Sequence, residues 1–314
     1  MDTNRIGNTP VVVSSIGLGA AALGNLYTAT DDEQAHTTVE AAWAAGIRYF
    51  DTAPHYGVGL AETRLGAALR GRPRSAYTIS TKVGRLLVDD PAAPTAADGF
   101  VDTPRRRRVR DYTADGVRRS LESSLERLGL DRIDIALVHD PDEHWEQAAH
   151  EAVPALVALR EQGVVGAIGV GMNQSTMLDR FVAETDVDCV LLAGRYTLLD
   201  RSGGALLDHC AKRGVSVLAG GVYNSGLLAD PRPGAHFDYA PADADLLARA
   251  LRLQAICARH DVPLRAAAIG FAAAHPAVAT VLVGARSPEE AADAAAMGGW
   301  DVPAALWAEL AAVT

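Results

Sequence analysis

Two rhythms of apolar and polar positions alternate along the chain. The first is a set of short β-branched and aliphatic runs, such as Ile133-Asp134-Ile135-Ala136-Leu137-Val138 and Val278-Ala279-Thr280-Val281-Leu282-Val283. They are apolar almost throughout, as strands buried on both faces of a parallel sheet are. Strands are predicted over 16–20, 47–51, 77–81, 132–138, 164–170, 188–192, 215–219 and 279–283. The second rhythm is alanine-rich and helical. Asp31 and Asp32 can cap a helix that runs to Gly46, where glycine suits the left-handed C-terminal position. Thr113 and Asp115 open another, with Leu121, Leu125 and Leu128 on one face and Gly129 as its stop. Further helices fit 61–70, 146–162, 174–183, 203–213, 243–259, 263–274 and 288–297.

Eight strands alternating with helices, without a linker-like break, favour one closed (β/α)8 barrel over a doubly wound sheet. The barrel takes in 1–314 as a single domain, with a short N-terminal hairpin around Gly7-Asn8. Two segments, 84–112 and 220–242, are long, rich in proline and glycine, and irregular. In a barrel both follow strands, so they belong on the face where active sites are built.

Composition narrows the function. Hydrophobic residues make up 49% of the 314 and charged residues 22%, enough apolar material for a large core. No uncharged apolar stretch is long enough to span a bilayer. Net charge is −10, which argues against a nucleic-acid partner, and the run Arg105-Arg106-Arg107-Arg108 reads as solvated or loop-bracing. Cys189, Cys210 and Cys257 lie far apart and make neither a disulfide framework nor a metal spacing. The N-terminus lacks a basic region followed by an apolar one, so a reducing, cytoplasmic setting is expected. Oligomeric state is not readable.

Gly17-Leu18-Gly19-Ala20-Ala21-Ala22 matches a dinucleotide fingerprint. Such a loop opens a helix directly, yet here Gly24, Asn25, Thr28 and Thr30 intervene before Asp31. A glycine-rich strand end lining a pocket is the preferred reading. The informative positions are other strand ends. Asp51 ends the second strand, with Tyr56 five residues on; Lys82 follows the third and His139 the fourth. In a barrel these ends converge on one face. His55, Asp140, Asp142, Glu143 and His144 raise a metal site as an alternative, but without helical ligand spacing, and no metal is expected.

These positions and several motifs together resemble the aldo-keto reductase superfamily. The matching stretches are Phe50-Asp51-Thr52-Ala53-Pro54-His55-Tyr56-Gly57, Ser80-Thr81-Lys82, Asp134 to His139, Gly169-Val170-Gly171-Met172-Asn173, Ser225-Gly226-Leu227-Leu228 and Gly284-Ala285-Arg286-Ser287. The resemblance is strongest to the branch of sugar (aldose) dehydrogenases. It implies a (β/α)8 barrel that uses NAD or NADP without a Rossmann domain. It also implies a catalytic tetrad of Asp51, Tyr56, Lys82 and His139. Tyr56 is then the proton carrier, Lys82 favours its phenolate, Asp51 holds Lys82, and His139 orients the substrate oxygen. The implied cofactor contacts are Gly19, Ala20, Asp51, Met172, Asn173, Gly220, Tyr223, Ser225, Gly226, Leu228, Gly284, Arg286 and Glu290. Substrate contacts are expected from His55, Tyr56, Tyr112, His139 and Trp145, with the loops 84–112, 140–146 and 220–242 capping the barrel face and offering Tyr112, Trp145 and Tyr223.

The chain departs from the pattern at three places. Ala193 stands where many members carry a carboxamide-binding Gln, Gly220 where many stack a Tyr, and Met172 where a Ser is usual. Tyr223 is the proposed substitute for the missing groups. Glu290 stands where NADP-preferring members carry a cation, which leans the cofactor to NAD. The activity expected is oxidation of an aldose at C1 to a lactone. The alternatives are a general aldehyde or ketone reductase and a non-catalytic regulatory subunit. The partner expected is a small molecule.

Overall fold

The computed structural model describes residues 1–238 and 240–313. Eight parallel strands close into a barrel: Ile16–Gly19, Tyr49–Asp51, Thr78–Val83, Ile133–His139, Val165–Met172, Cys189–Ala193, Ser216–Gly220 and Val278–Gly284. They neighbour one another in chain order, and the last pairs back onto the first. Each lies where the apolar runs predict it. The nine predicted helices are present too, and one more, Ala304–Ala311, is added at the end, burying Leu306 and Leu310.

Alternation along the strands sorts their side chains. Tyr49, Ile135, Leu137, Ala167, Leu191 and Leu218 point inward and fill the barrel. Their neighbours Phe50, Ala136, Val138, Val170 and Val190 point outward under the helices. The N-terminal hairpin, Thr3–Arg5 with Val12–Ser14, closes the bottom and inserts Ile6 and Val13 into the inner cluster. The helices pack closely where residues are small. A Cβ on Gly66 would stand 2.2 Å from the carbonyl oxygen of Leu128, so glycine is what lets helix Leu60–Leu69 approach helix Ala114–Leu128.

The segment 84–112 is not irregular throughout. Arg85–Asp89 and Arg106–Arg110 pair as an antiparallel hairpin over the barrel mouth. Leu86-Leu87-Val88 is a short apolar run, but its partner strand Arg106–Arg110 is basic and neither strand is buried, so the pair lacks the signal of a barrel strand. The arginine run is loop-bracing: Arg105 donates to the carbonyl of Ala93 (2.8 Å), Arg106 to Asp89 (2.8 Å) and Arg108 to the carbonyl of His55 (3.0 Å). In the segment 220–242, beyond the barrel strand, His236–Phe237 pairs with Ala240–Pro241 and His236 also bridges Gly226.

Candidate active site

Inward parity carried to the strand ends gives the site. Tyr49 points inward, so Asp51 does; Ile135 and Leu137 point inward, so His139 does; Ser80 and Lys82 share the remaining face. Lys82 Nζ donates to Asp51 Oδ2 at 2.7 Å and to the carbonyl of Thr52 at 3.0 Å. Ser80 donates to Asp51 Oδ1 at 2.7 Å and meets the Tyr49 hydroxyl at 2.8 Å. The pair is dry, with Lys82 1% and Asp51 4% exposed. The Lys82 ammonium lies 4.7 Å from the Tyr56 ring centre, and the His139 and Tyr56 rings meet edge to face at 6.0 Å. Asp51, Tyr56, Lys82 and His139 therefore form one cluster.

Burial and charge oppose each other there. Burial alone would pull the Lys82 ammonium down, but the Asp51 carboxylate and the Tyr56 oxygen override it and lift it above its usual value. Burial pushes the Tyr56 phenol up, and Lys82 pulls it back only in part. The phenolate expected from the sequence is thus favoured by Lys82, yet in the free protein Tyr56 holds its proton. Burial, then Arg85 and Lys82, hold His139 well below its usual value, so its imidazole is neutral.

A cavity of about 1170 Å³ runs from this cluster across the barrel mouth. Its wall includes Asp51, Tyr56, Asn173 and Ala193 at one end, and Arg265, Arg286, Glu290 and Asp293 elsewhere. Gly19, Gly220, Tyr223, Ser225, Gly226 and Gly284 also line it. A Cβ on Gly19 or Gly284 would come no closer than 3.8 Å to protein, and one on Gly226 would meet nothing within 4 Å. The Tyr223 hydroxyl is buried without a hydrogen-bond partner among the described residues. A long, backbone-lined cradle with an unsatisfied phenol suits a dinucleotide.

Other predicted residues are placed differently. The side chains of Ala20, Met172 and Leu228 are buried in the layer between barrel and helices, so they offer the cavity no side-chain contact. Tyr112 is fully buried, and its hydroxyl donates to the carbonyls of His139 (2.7 Å) and Asp140 (2.8 Å). It braces the site instead of meeting substrate. Trp145 packs on Phe181 at 4.6 Å with the Arg180 guanidinium 3.6 Å over its ring, away from the cavity wall. His55 does stand beside the cluster, 5.7 Å from His139 between ring centres. Sequence reasoning missed Phe100, which lines the cavity and stacks on Tyr56 at 6.2 Å, and Arg85, which reaches His55 and Asp140. Their only sequence signal was the long loop that holds both. Among the described residues no three His, Cys, Asp or Glu side chains gather as a metal site.

A barrel whose second, third and fourth strands end in Asp, Lys and His, with a Tyr beside them, defines an oxidoreductase of one family. The chain belongs to the Aldo/keto reductase family, whose description matches residues 15–313. It is 45% identical to a D-threo-aldose 1-dehydrogenase from Pseudomonas sp, over 96% of this chain and 94% of the relative. It is 40% identical to a pyridoxal 4-dehydrogenase from Microbacterium luteolum, over 98% of this chain and 96% of that one. An aldo-keto reductase structure from Bacillus halodurans superposes with a TM-score of 0.79 at 24% identity, covering 100% of this chain and 96% of its own. The protein is an oxidoreductase that uses a nicotinamide cofactor and acts on a small molecule. No helix among the described residues is long and apolar enough to cross a membrane.

Proposed function

We propose that this barrel domain oxidises a cyclic aldose at C1 to a lactone, with NAD as the preferred cofactor. The observation that carries the reading is Tyr56 at the cavity wall, backed by the dry Lys82–Asp51 pair and flanked by His139. Two similar proteins are named for aldose and pyridoxal oxidation. Both of those compounds carry an aldehyde that closes with an internal hydroxyl to a cyclic hemiacetal, so a hemiacetal carbinol is the common chemical denominator.

A bound nicotinamide supplies the hydride acceptor. Tyr56 takes the proton of the C1 hydroxyl once its own has left. Lys82 stabilises the phenolate so formed, and Asp51 holds Lys82 in place. His139, neutral, orients the same oxygen as it becomes a carbonyl. Gly19, Gly220, Gly226, Gly284, Asn173 and Tyr223, which line the cavity, would hold the dinucleotide.

The lean to NAD rests on charge at Arg265, Arg286, Glu290 and Asp293. Glu290 accepts from the Arg286 backbone N–H at 2.9 Å, and its carboxylate lies 3.8 Å from the Arg286 guanidinium. Arg265 is held by Asp293 at 2.7 Å. Both cations already face a carboxylate, which disfavours a 2′-phosphate and suits a ribose hydroxyl. The three buried free cysteines support a reducing, cytoplasmic setting.

The test is reduction of NAD and NADP with a panel of aldoses and simple alcohols, followed by NMR of the product. A C1 lactone is expected. Oxidation at C6, or no aldose turnover beside fast turnover of aromatic aldehydes, would favour a general reductase. Cofactor binding without turnover of any substrate would favour a regulatory subunit.

A further inference from the structure

A second polar cluster adjoins the tetrad. Arg85 leaves the barrel mouth just after Gly84, whose φ of +98° and lack of Cβ are both needed: a Cβ would stand 2.2 Å from the Tyr112 ring. The chain therefore turns tightly over Tyr112 and carries the Arg85 guanidinium inward, where the side chain is 12% exposed. One terminal nitrogen contacts Asp140 Oδ2 at 2.6 Å, and the other lies 3.1 Å from His55 Nδ1. The same Asp140 oxygen stands 3.4 Å from His139 Nε2. Asp140 itself has a left-handed backbone, φ +42°, and its carbonyl and that of His139 are both held by the Tyr112 hydroxyl.

We propose that Arg85 and Asp140 are positioning residues that hold both imidazoles, His55 and His139, as Nε2–H donors beside Tyr56. The argument is an inventory of donors. A guanidinium only donates, so His55 Nδ1 accepts and the His55 proton sits on Nε2. Asp140 Oδ2 lies 3.4 Å from His139 Nε2 without a hydrogen bond, and a carboxylate at that distance favours a proton over a lone pair on Nε2 by electrostatics alone. His139 Nδ1 is buried without a hydrogen-bond partner among the described residues. A buried lone pair left unpaired is tolerated better than a buried N–H, which agrees with that assignment. One guanidinium thus fixes two tautomers, the first directly and the second through a carboxylate.

The surroundings keep both rings uncharged. His55 faces Arg85, Arg108, Lys82 and Arg110, and burial together with those cations pushes it down to about 2. His139 faces Arg85, Lys82, His55 and the Asp140 carboxylate. A neutral Nε2–H donor holds an oxygen that turns from hydroxyl to carbonyl without competing with Tyr56 for its proton. This consequence rests on the proposed dehydrogenase reading, whereas the tautomers themselves do not.

The experiment uses the full chain with ¹⁵N-labelled histidine and long-range ¹H–¹⁵N spectra between about pH 5.5 and 9. His55→Gln and His139→Gln assign the signals. Both imidazoles are expected as Nε2–H tautomers that do not titrate. In Arg85→Met, His55 is expected to lose its fixed tautomer and populate both Nδ1–H and Nε2–H forms, while burial and Arg108, Lys82 and Arg110 still hold it below its ordinary value. Its kcat/KM should fall about 10²-fold. Asp140→Asn keeps an acceptor for His139 and should retain the tautomer that Asp140→Leu loses. Where Arg85→Met folds poorly, Arg85→Lys serves, since a single ammonium cannot meet both partners in the guanidinium's geometry. An Nδ1–H tautomer at either ring in the parent protein overturns the proposal. So does an Arg85 variant in which His55 keeps a pure Nε2–H tautomer. The spectra require no substrate, so a failed aldose assay and a failed tautomer assignment are separate results.

Discussion

Replacing Asp51 with asparagine should expose how much the dry Lys82–Asp51 pair is worth, and how that worth depends on pH. The variant keeps the shape of the side chain and an acceptor for Ser80, which now bonds Asp51 Oδ1 at 2.7 Å. It leaves the Lys82 ammonium, 1% exposed, with the Thr52 carbonyl and Tyr56 as its neighbours. Removing one partner of a buried ion pair costs about 3–5 kcal/mol. There is also a ceiling, because Lys82 can release its proton instead. That costs about 1.4 kcal/mol for each pH unit below its ordinary value of about 10.4, so the ceiling is about 4–5 kcal/mol near pH 7 and about 2 kcal/mol near pH 9. The sign follows. In the parent, Lys82 binds its proton more tightly folded than unfolded, so its contribution is complete below about pH 10 and is lost only as pH rises past its folded value. In the variant, burial wins and the folded state binds fewer protons than the unfolded one, so stability recovers with rising pH. Urea unfolding of both proteins near pH 7 and pH 9, followed by tryptophan fluorescence, measures this. A deficit under about 1 kcal/mol near pH 7, or one that grows toward pH 9, would refute the reasoning.

Tyr56→Phe should lower kcat by about 10²–10⁴-fold while cofactor affinity, read by fluorescence titration, is nearly unchanged; retention of most of kcat would remove Tyr56 from its role. Because burial pushes the Tyr56 phenol up, kcat/KM for oxidation should keep climbing beyond about pH 9, and a plateau already reached at neutrality would contradict that shift. Glu290→Arg should move the ratio of kcat/KM for the two cofactors toward NADP, and an unmoved ratio would show that this carboxylate does not read the ribose.

The barrel was legible because its signal is local. Each apolar run carries its own strand, and strand parity then puts Asp51, Lys82 and His139 on one face. The hairpin Arg85–Asp89 with Arg106–Arg110 was not legible, since a three-residue apolar run, Leu86-Leu87-Val88, pairs with a basic strand some twenty residues on and neither shows a buried strand's pattern. Arg85 meets His55 and Asp140, 30 and 55 residues away, a contact no spacing rule announces. Tyr112 and Trp145 fail for another reason. An aromatic ring with one polar atom serves packing and recognition equally well, and only the fold shows that one braces two carbonyls and the other seals a helix. Phe100 was hidden in the same way, inside a loop read only by its prolines and glycines.

The last barrel strand has a bearing on biosynthesis. Val281 pairs with Ile16, and Gly284 with Gly19, so the ring closes only between the two ends of the chain. While the ribosome adds residues at about 5–20 per second, the strand Ile16–Gly19 waits with an open edge. All four groups of the tetrad lie before residue 140 and emerge early, but the cavity beside them takes part of its wall from residues 282–293. A nascent chain short of that strand carries the acid–base groups without a finished cradle. It also carries two unpaired sheet edges, the surfaces most prone to pairing with another chain. Co-translational aggregation, and not slow catalysis, is then the first penalty for any substitution that delays closure at Val278–Gly284.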